Sequence, residues 1–564
     1  MKLKKNTIIF IIAIIICIIL KQLLVCNLPI SANVPLGADD GLMMKQASSI
    51  IKGEWLGEYN ETTFLKGAVF PLFLSLIYFL HLDYISAITI LYTIACLTLL
   101  WVISKAIKNK KILFLIFTIL LFNPIMLVNS ILTRVYRNSL IPTFAFFIIA
   151  SYINLFLERN KEKYKGKTFT IIGLNILLPL FWFTREDSMW IIPYIIFMSI
   201  AILISIIYKN KKLNKEFWKN LLALLTPMFS VIIFANIICI INYNSYGVYT
   251  VRNDYYYNKA VKAIESVKAN VKIEKVTNTR EKMNRIAEIT VLGTIMPEFD
   301  VLANSYSKID GNQQDDEVEN GWFKFAFTGA ANTAGYYKSA QDTNNFYNTL
   351  AIQIEDAIDK GLLEKEDSKT DYLQFFNEVI NNTKECITYI FGYESMELNL
   401  ANTAREYREV HDKEFKDYAR ISRNKLIFSE LSDKVDGKDV IDFKKQEEYL
   451  DSVKYKSDIV NAIIKIYKIL NISLFILGFI YYIYCTIGII RRKNRLLENW
   501  VILSGILGAI FTVIVGIAYT TVKYFYAITT LYLVATYPLI LAFNLISVYN
   551  GCVEIYKGIK SKDK

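Results

Sequence analysis

Apolar stretches long enough to cross a lipid bilayer recur near both ends of this chain, and they limit its fold more than any motif does. A hydrocarbon core needs about 20 residues of helix. With no water there to bond the backbone, such runs fold as helices. About ten are readable, at 7–26, 85–104, 112–130, 138–157, 168–184, 189–208, 220–242, 467–490, 499–520 and 524–548. The shorter run from Val69 to Leu80 reads as a helix partly immersed at the outer face. The expected fold class is an α-helical integral membrane protein, with about ten transmembrane helices and a mainly helical extracytoplasmic domain. Hydrophobic residues make up 54% of the chain, which argues against a soluble enzyme.

Lysine and arginine gather in alternate loops: before the first span, then after the second, fourth, sixth and eighth, and again in the C-terminal tail. Positive charge marks cytoplasmic loops, so both termini are expected in the cytoplasm of a multi-pass plasma-membrane protein. The expected organisation is a membrane block 1–242, an extracytoplasmic domain 243–458 and a second membrane block 459–564. Segment 243–458 holds 29 Lys+Arg against 38 Asp+Glu, although the whole chain carries +12. The basic excess is therefore a topology signal and implies no nucleic-acid partner. Seven cysteines, only Cys386 of them in the extracytoplasmic domain, offer no disulfide framework there, and two histidines give no His-based zinc site or Ser-His-Asp triad. Within that domain Phe346, Leu350, Ile354 and Ile358 repeat at helical spacing, with Asp342 placed to cap and Gly361 to end the helix. Asp310, Gly311 and Asn312 read as a turn.

The first outer loop, 27–68, carries the most chemistry. Asp39 and Asp40 open a short helix with Met43, Met44, Ala47, Ile50 and Ile51 on one face, and Gly53 stands where it should end. Such a helix would lie on the membrane surface and hold its carboxylates at the water–lipid boundary. A structural role, with Asp39 simply capping the helix, accounts for one of the two aspartates. Short outer loops should be poor in positive charge, so their exceptions stand out: Arg134 and Arg137, then Arg185 beside Glu186 and Asp187, and Lys523. Snorkelling or local ion pairs would explain each singly. Together they suit a lipid phosphate, which guanidinium groups bind through two hydrogen bonds.

Asp39-Asp40 after a first span, followed by Gly53-Glu54-Trp55-Leu56-Gly57-Glu58-Tyr59 and then Phe64 to Leu76, resembles the GT-C class of polytopic glycosyltransferases. Protein O-mannosyltransferases and aminoarabinose transferases belong to that class. The resemblance covers roughly 1–210 and implies a polyprenyl-phosphate-sugar donor, a catalytic acidic residue in the first outer loop and a Lys-Pro-Pro-like segment further on. Lys66, Gly67 and Pro71 stand where that segment would be, without the Pro-Pro pair. It implies Asp39 or Asp40 as the base, Asp40 being slightly favoured; the positive charge in the outer loops makes Arg134, Arg137 and Arg185, and more weakly Lys523, the expected phosphate ligands. Lys66, Tyr59, Glu186 and Asp187 are further site residues. A divalent cation such as Mg or Mn on Asp39 and Asp40 stays open. The acceptor would be a glycan, lipid or protein. Two other classes are a flippase for a lipid-linked sugar, for which charged residues deep in the spans are not evident, and a non-catalytic anchor for the extracytoplasmic domain. Impermeant cysteine labelling tests the topology: a probe at Asn312 should react from outside and one at Asn210 should not. Outside labelling at Asn210 would refute the arrangement.

Overall fold

In a computed structural model the described residues are 5–31, 39–160, 165–211, 213, 215–273, 275–307, 317–366, 372–400, 412–427 and 442–562. Among them the only β pairing is in isolated bridges; the rest of the regular structure is helical. The first half holds α1 (Lys5–Val25), α2 (Asp39–Ile51), α3 (Val69–Phe79), α4 (Tyr84–Ile103), α5 (Lys110–Leu121), α6 (Ile141–Leu157), α7 (Lys165–Trp182), α8 (Ile192–Asn210) and α9 (Lys215–Tyr246). A polar region follows with α10 (Tyr255–Glu265), α11 (Arg280–Ala287), α12 (Met296–Ser307), α13 (Asn320–Thr333), α14 (Ala340–Asp359), α15 (Tyr372–Gly392) and α16 (Asp412–Ser422). Then come α17 (Phe443–Ile490), α18 (Leu497–Lys523) and α19 (Thr536–Lys562).

Among the described residues, eight helical segments are long and apolar enough to cross a membrane, against about ten expected. The two other runs, 112–130 and 168–184, form shorter elements. Pro124 lacks an N–H and disfavours helical backbone at Asn123, so α5 stops at Leu121. One 3-10 turn (Pro124–Met126) and a π-helical turn (Asn129–Thr133) carry the chain on. The broken run still travels the depth of α1. Lys110 Nζ bonds Thr7 Oγ1 near the start of α1, and Ser31 N donates to Thr133 O at 2.8 Å beyond its end. Similarly α7, with Pro179 inside it, runs antiparallel to α6: Asn154 donates to Thr170 Oγ1 at 2.7 Å near one end, and Arg137 to Thr184 O at 3.4 Å near the other.

Breaking a helix inside an apolar bundle strands carbonyl groups that neighbours must satisfy. Tyr92 OH donates to Leu120 O at 3.0 Å and Tyr467 OH to Ile119 O at 2.6 Å. Lys21 Nζ, on a side chain buried within α1, lies 3.4 Å from Met126 O. Lys21 is therefore a charge inside an expected span, where none was expected deep in a span, and it serves the broken backbone.

Three other boundaries differ from expectation. The last run becomes helical only at Thr536, because residues 524–535 loop over the end of the bundle. The expected border at 458/459 falls inside the 48-residue helix α17. Helix α14 starts at Ala340, capped by Ser339, whose side chain accepts from Asp342 N at 3.1 Å, so Asp342 lies inside the first turn. Gly361, at φ +71°, follows its end. The expected turn at 310–312 lies outside the described residues.

Segment 243–458 falls on two cores. Helices α10 to α14 enclose their own, built on Phe299, Phe327, Tyr347 and Ile354. Residues from α15 and α16, including Cys386, Ile390, Tyr418 and Ile421, bury in the core of the apolar bundle. Helix α2 is likewise enclosed by protein: Met43, Met44 and Ala47 are buried, Ala47 O accepts from Ser75 of α3, and Ser48 donates to Asp417 of α16 at 2.8 Å. Its apolar face thus meets protein where the sequence suggested lipid. Helix α3 exposes Leu76 and Phe79.

The capped break is testable. Tyr92→Phe and Tyr467→Phe should each lower the stability of the detergent-solubilised protein by about 1 kcal/mol. Unfolding midpoints measured for each variant check this. No loss in either would show that the freed carbonyls do not need these hydroxyls.

Candidate functional site

Four separate stretches of chain meet at one end of the bundle: the start of α2 with the loop after it, residues 134–137, residues 185–187, and Arg252. The π-helical turn ends in extended backbone at Arg134, fixed by the Ser31–Arg134 bridge and by Tyr84 OH, which donates to Arg134 O at 2.9 Å. This aims Arg134 at α2. Its Nε donates to Asp40 Oδ2 at 2.8 Å and its Nη2 to Asp40 Oδ1 at 2.7 Å. Asp40 is fully buried, so both oxygens are desolvated and both are met by one planar cation. Burial would lower the Arg134 pKa, but Asp40 more than offsets it and holds the guanidinium charged. The same guanidinium lies 4.5 Å from the centre of the Tyr136 ring.

Asp39 is different. Its side chain keeps 25% exposure, and Oδ2 takes Lys66 Nζ at 2.8 Å and Tyr136 OH at 2.9 Å. No hydrogen bond to Oδ1 occurs among the described residues. Burial pushes the Tyr136 hydroxyl pKa up, so it stays a proton donor to the carboxylate.

Arg137 forms a second fork, with Nη1 at 2.8 Å and Nη2 at 2.7 Å from Glu186, and its Nη1 also lies 3.3 Å from Lys66 O. Arg252 reaches the same carboxylate at 3.0 Å. Burial alone would raise the Glu186 pKa, but Arg137, Arg252 and Lys66 hold it down to about 2. Arg185 pairs with Asp187 at 2.5 Å and donates to Leu531 O at 3.3 Å. Asn138 donates to the same carbonyl at 2.5 Å, which ties the 524–535 loop to the cluster.

Beside these pairs lies a cavity of about 310 Å³. Arg185, Glu186 and Arg252 form its charged wall, and Phe64, Trp182, Phe183 and Ile238 much of its apolar wall. Gly67 and Ala68, next to Lys66, line it too, with Gly67 at φ +74° and its Cα side close against Phe183 O. Asp39 is not part of this lining; Lys66 joins the two, with its ammonium on Asp39 and its following residues on the cavity.

Of the residues singled out in the sequence, Asp39, Asp40, Lys66, Arg134, Arg137, Arg185, Glu186 and Asp187 come together. Tyr59 and Lys523 do not. Tyr59 packs between Tyr246 and Tyr337 and donates to Thr343 Oγ1 at 3.2 Å, docking the first loop on the polar region. Lys523 points at Tyr519 and Tyr524. Missed were Tyr136, between the two flagged arginines, and Arg252, six residues past the end of α9 at Tyr246. Arg252 met the same criterion of a cation just beyond a span. A metal fits poorly: Asp40 is saturated by Arg134, Lys66 already neutralises Asp39, and no group of three or more His, Cys, Asp or Glu forms among the described residues.

Because the folded pKa of Glu186 lies below the ordinary glutamate value of about 4.3, its ion pairs stabilise the fold above that value and are lost as pH falls toward 2. Glu186→Gln should lower the Tm at neutral pH and flatten the loss of Tm on acidification below about 4.3. Thermal unfolding across pH checks this; identical acid limbs in the two proteins would count against it.

Comparison with family models, curated proteins and solved structures gives no match to this chain, so the chemistry of the site is read from its own side chains.

Proposed function

We propose that the chain is a glycosyltransferase of GT-C type. It would span the plasma membrane about ten times with both termini in the cytoplasm, and move a sugar from a polyprenyl-phosphate donor to a glycan, lipid or protein acceptor on the extracytoplasmic side. The observation that carries this reading is the convergence of a partly exposed carboxylate with five cations beside a cavity that is charged on one wall and apolar on the other. A lipid-linked phosphate has those two halves. The topology is supported by the opposite end of the bundle, where Lys105, Arg159 and Arg495 pair with Glu158, Glu498 and Glu554.

The geometry favours Asp39 over Asp40 as the base, since Asp40 has no free oxygen. Asp39 Oδ1 takes the proton of the acceptor hydroxyl as that oxygen bonds to the anomeric carbon. The bond from that carbon to the phosphate oxygen breaks, and the polyprenyl phosphate leaves with the electron pair. Arg185 and Arg252 line the cavity and balance its charge, each meeting a carboxylate through one nitrogen; Arg134 and Arg137, each forked onto both oxygens of a carboxylate, hold the scaffold. In the resting state Lys66 neutralises Asp39. A phosphate arriving in the cavity competes for Lys66 and leaves the carboxylate free to accept a proton.

Asp39→Asn should reduce turnover about 10²–10⁴-fold while donor binding is retained. Asp40→Asn should instead cost about 3–5 kcal/mol of stability by leaving Arg134 uncompensated. Purified protein with a polyprenyl-phosphate sugar and acceptor provides the assay, alongside thermal unfolding. Wild-type turnover in Asp39→Asn would refute this role.

A further inference from the structure

Helix α15 lies in the segment expected from the sequence to form the extracytoplasmic domain, yet its residues divide into three arcs. Phe375, Val379, Cys386, Tyr389 and Ile390 pack inward against the bundle. A neighbouring arc of Phe376, Ile380 and Ile387, with Leu373 at its edge, is apolar and exposed, Phe376 by 60% and Ile380 by 52%. The arc beyond it carries Asn377, Asn381, Lys384, Glu385 and Glu378. At 100° per residue each set falls on its own side of the helix. A helix of a water-soluble domain has two such sides, core and solvent. A third, exposed and apolar, needs a different neighbour.

The position of α15 says which. The Phe375 ring meets Tyr519, in the last turns of the apolar span ending at Lys523, with centroids 5.7 Å apart. Further along, Tyr526 OH donates to Glu385 at 2.7 Å, and Tyr389 OH accepts from Thr530 N at 3.0 Å. Near its C-terminus Phe391 packs on Phe475 of α17, 4.9 Å between centroids. The helix thus follows the rim of the bundle, where Tyr519, Tyr524 and Tyr526 are themselves exposed. Tyrosines collect at that depth because an apolar ring with a polar tip suits the boundary between lipid and water.

We propose that α15 is an interfacial membrane helix, with its exposed apolar arc in the acyl-chain boundary of the bilayer and its amide- and charge-bearing arc facing water. The partner is the lipid surface, and the exposed apolar belt of the spans continues onto α15. This does not rest on the glycosyltransferase reading. Its consequence is mechanical: α15 anchors the 524–535 loop through Tyr389 and Thr530, next to Leu531, whose carbonyl receives Asn138 and Arg185.

Full-length protein in phosphatidylcholine vesicles tests it, with Cys26 and Cys552 replaced by Ser and a nitroxide attached at Phe376→Cys or at Asn381→Cys. The ratio of collisions with oxygen to those with a water-soluble nickel chelate should be several-fold higher at 376 than at 381. Ile380→Cys and Asn377→Cys provide a second pair should either first variant fail to fold. Equal ratios within the pairs would overturn the proposal. So would a label at 376 or 380 that is immobile and shielded from both reagents, which would place protein, such as a second copy of the chain, on that arc.

Discussion

A carboxylate with no solvent exposure persists in a fold only if the hydration it loses on burial is offset by a partner. At Asp40 that partner is Arg134, whose planar fork meets both oxygens at 2.7–2.8 Å. The rest of this end of the molecule depends on that pair. It joins the start of α2 to the end of the broken run, fixes where residues 134–137 emerge, and so places Tyr136 on Asp39 and Arg137 on Glu186. Removing either partner would leave an uncompensated buried charge, so the pair specifies geometry more than it contributes stability.

The broken run makes this reach possible. Had 112–130 continued as a regular helix, each backbone group would have been satisfied within it and Arg134 would sit on a helical surface. The Asn123-Pro124 step ends α5, and hydroxyls from α4 and α17 with the Lys21 ammonium take up the freed carbonyls. The chain then reaches the site as extended backbone able to bridge Ser31. Irregular backbone at such depth is tolerated only inside protein, and Ile131, Leu132 and Val135 are fully buried.

Around this scaffold sit the parts with freedom to act. Asp39 keeps an oxygen without a described partner, Lys66 is shared between that carboxylate and the rim of the cavity, and Arg185 and Arg252 face the space itself. Both oxygens of Asp40 and of Glu186 are held by forks, while the Lys66–Asp39 pair rests on one carboxylate oxygen. The 524–535 loop closes over them, supported from the bundle rim by α15.

The sequence by itself determined the helical architecture with spans long enough to cross a membrane, since apolar length leaves the backbone no alternative, and it pointed to the short loops whose arginines come together. It also marked the pattern in α14, because helical periodicity is local. Only the tertiary structure decided which aspartate is saturated and which is open. Two adjacent carboxylates look alike in sequence, and their difference comes from Arg134, 94 residues away from Asp40. Contact across such separations likewise brought in Arg252 and turned Lys523 and Tyr59 aside. The stretch 372–400, expected in the extracytoplasmic domain, joined the bundle for the same reason: composition registers its polar arc, while the neighbour of its apolar arcs is set by packing.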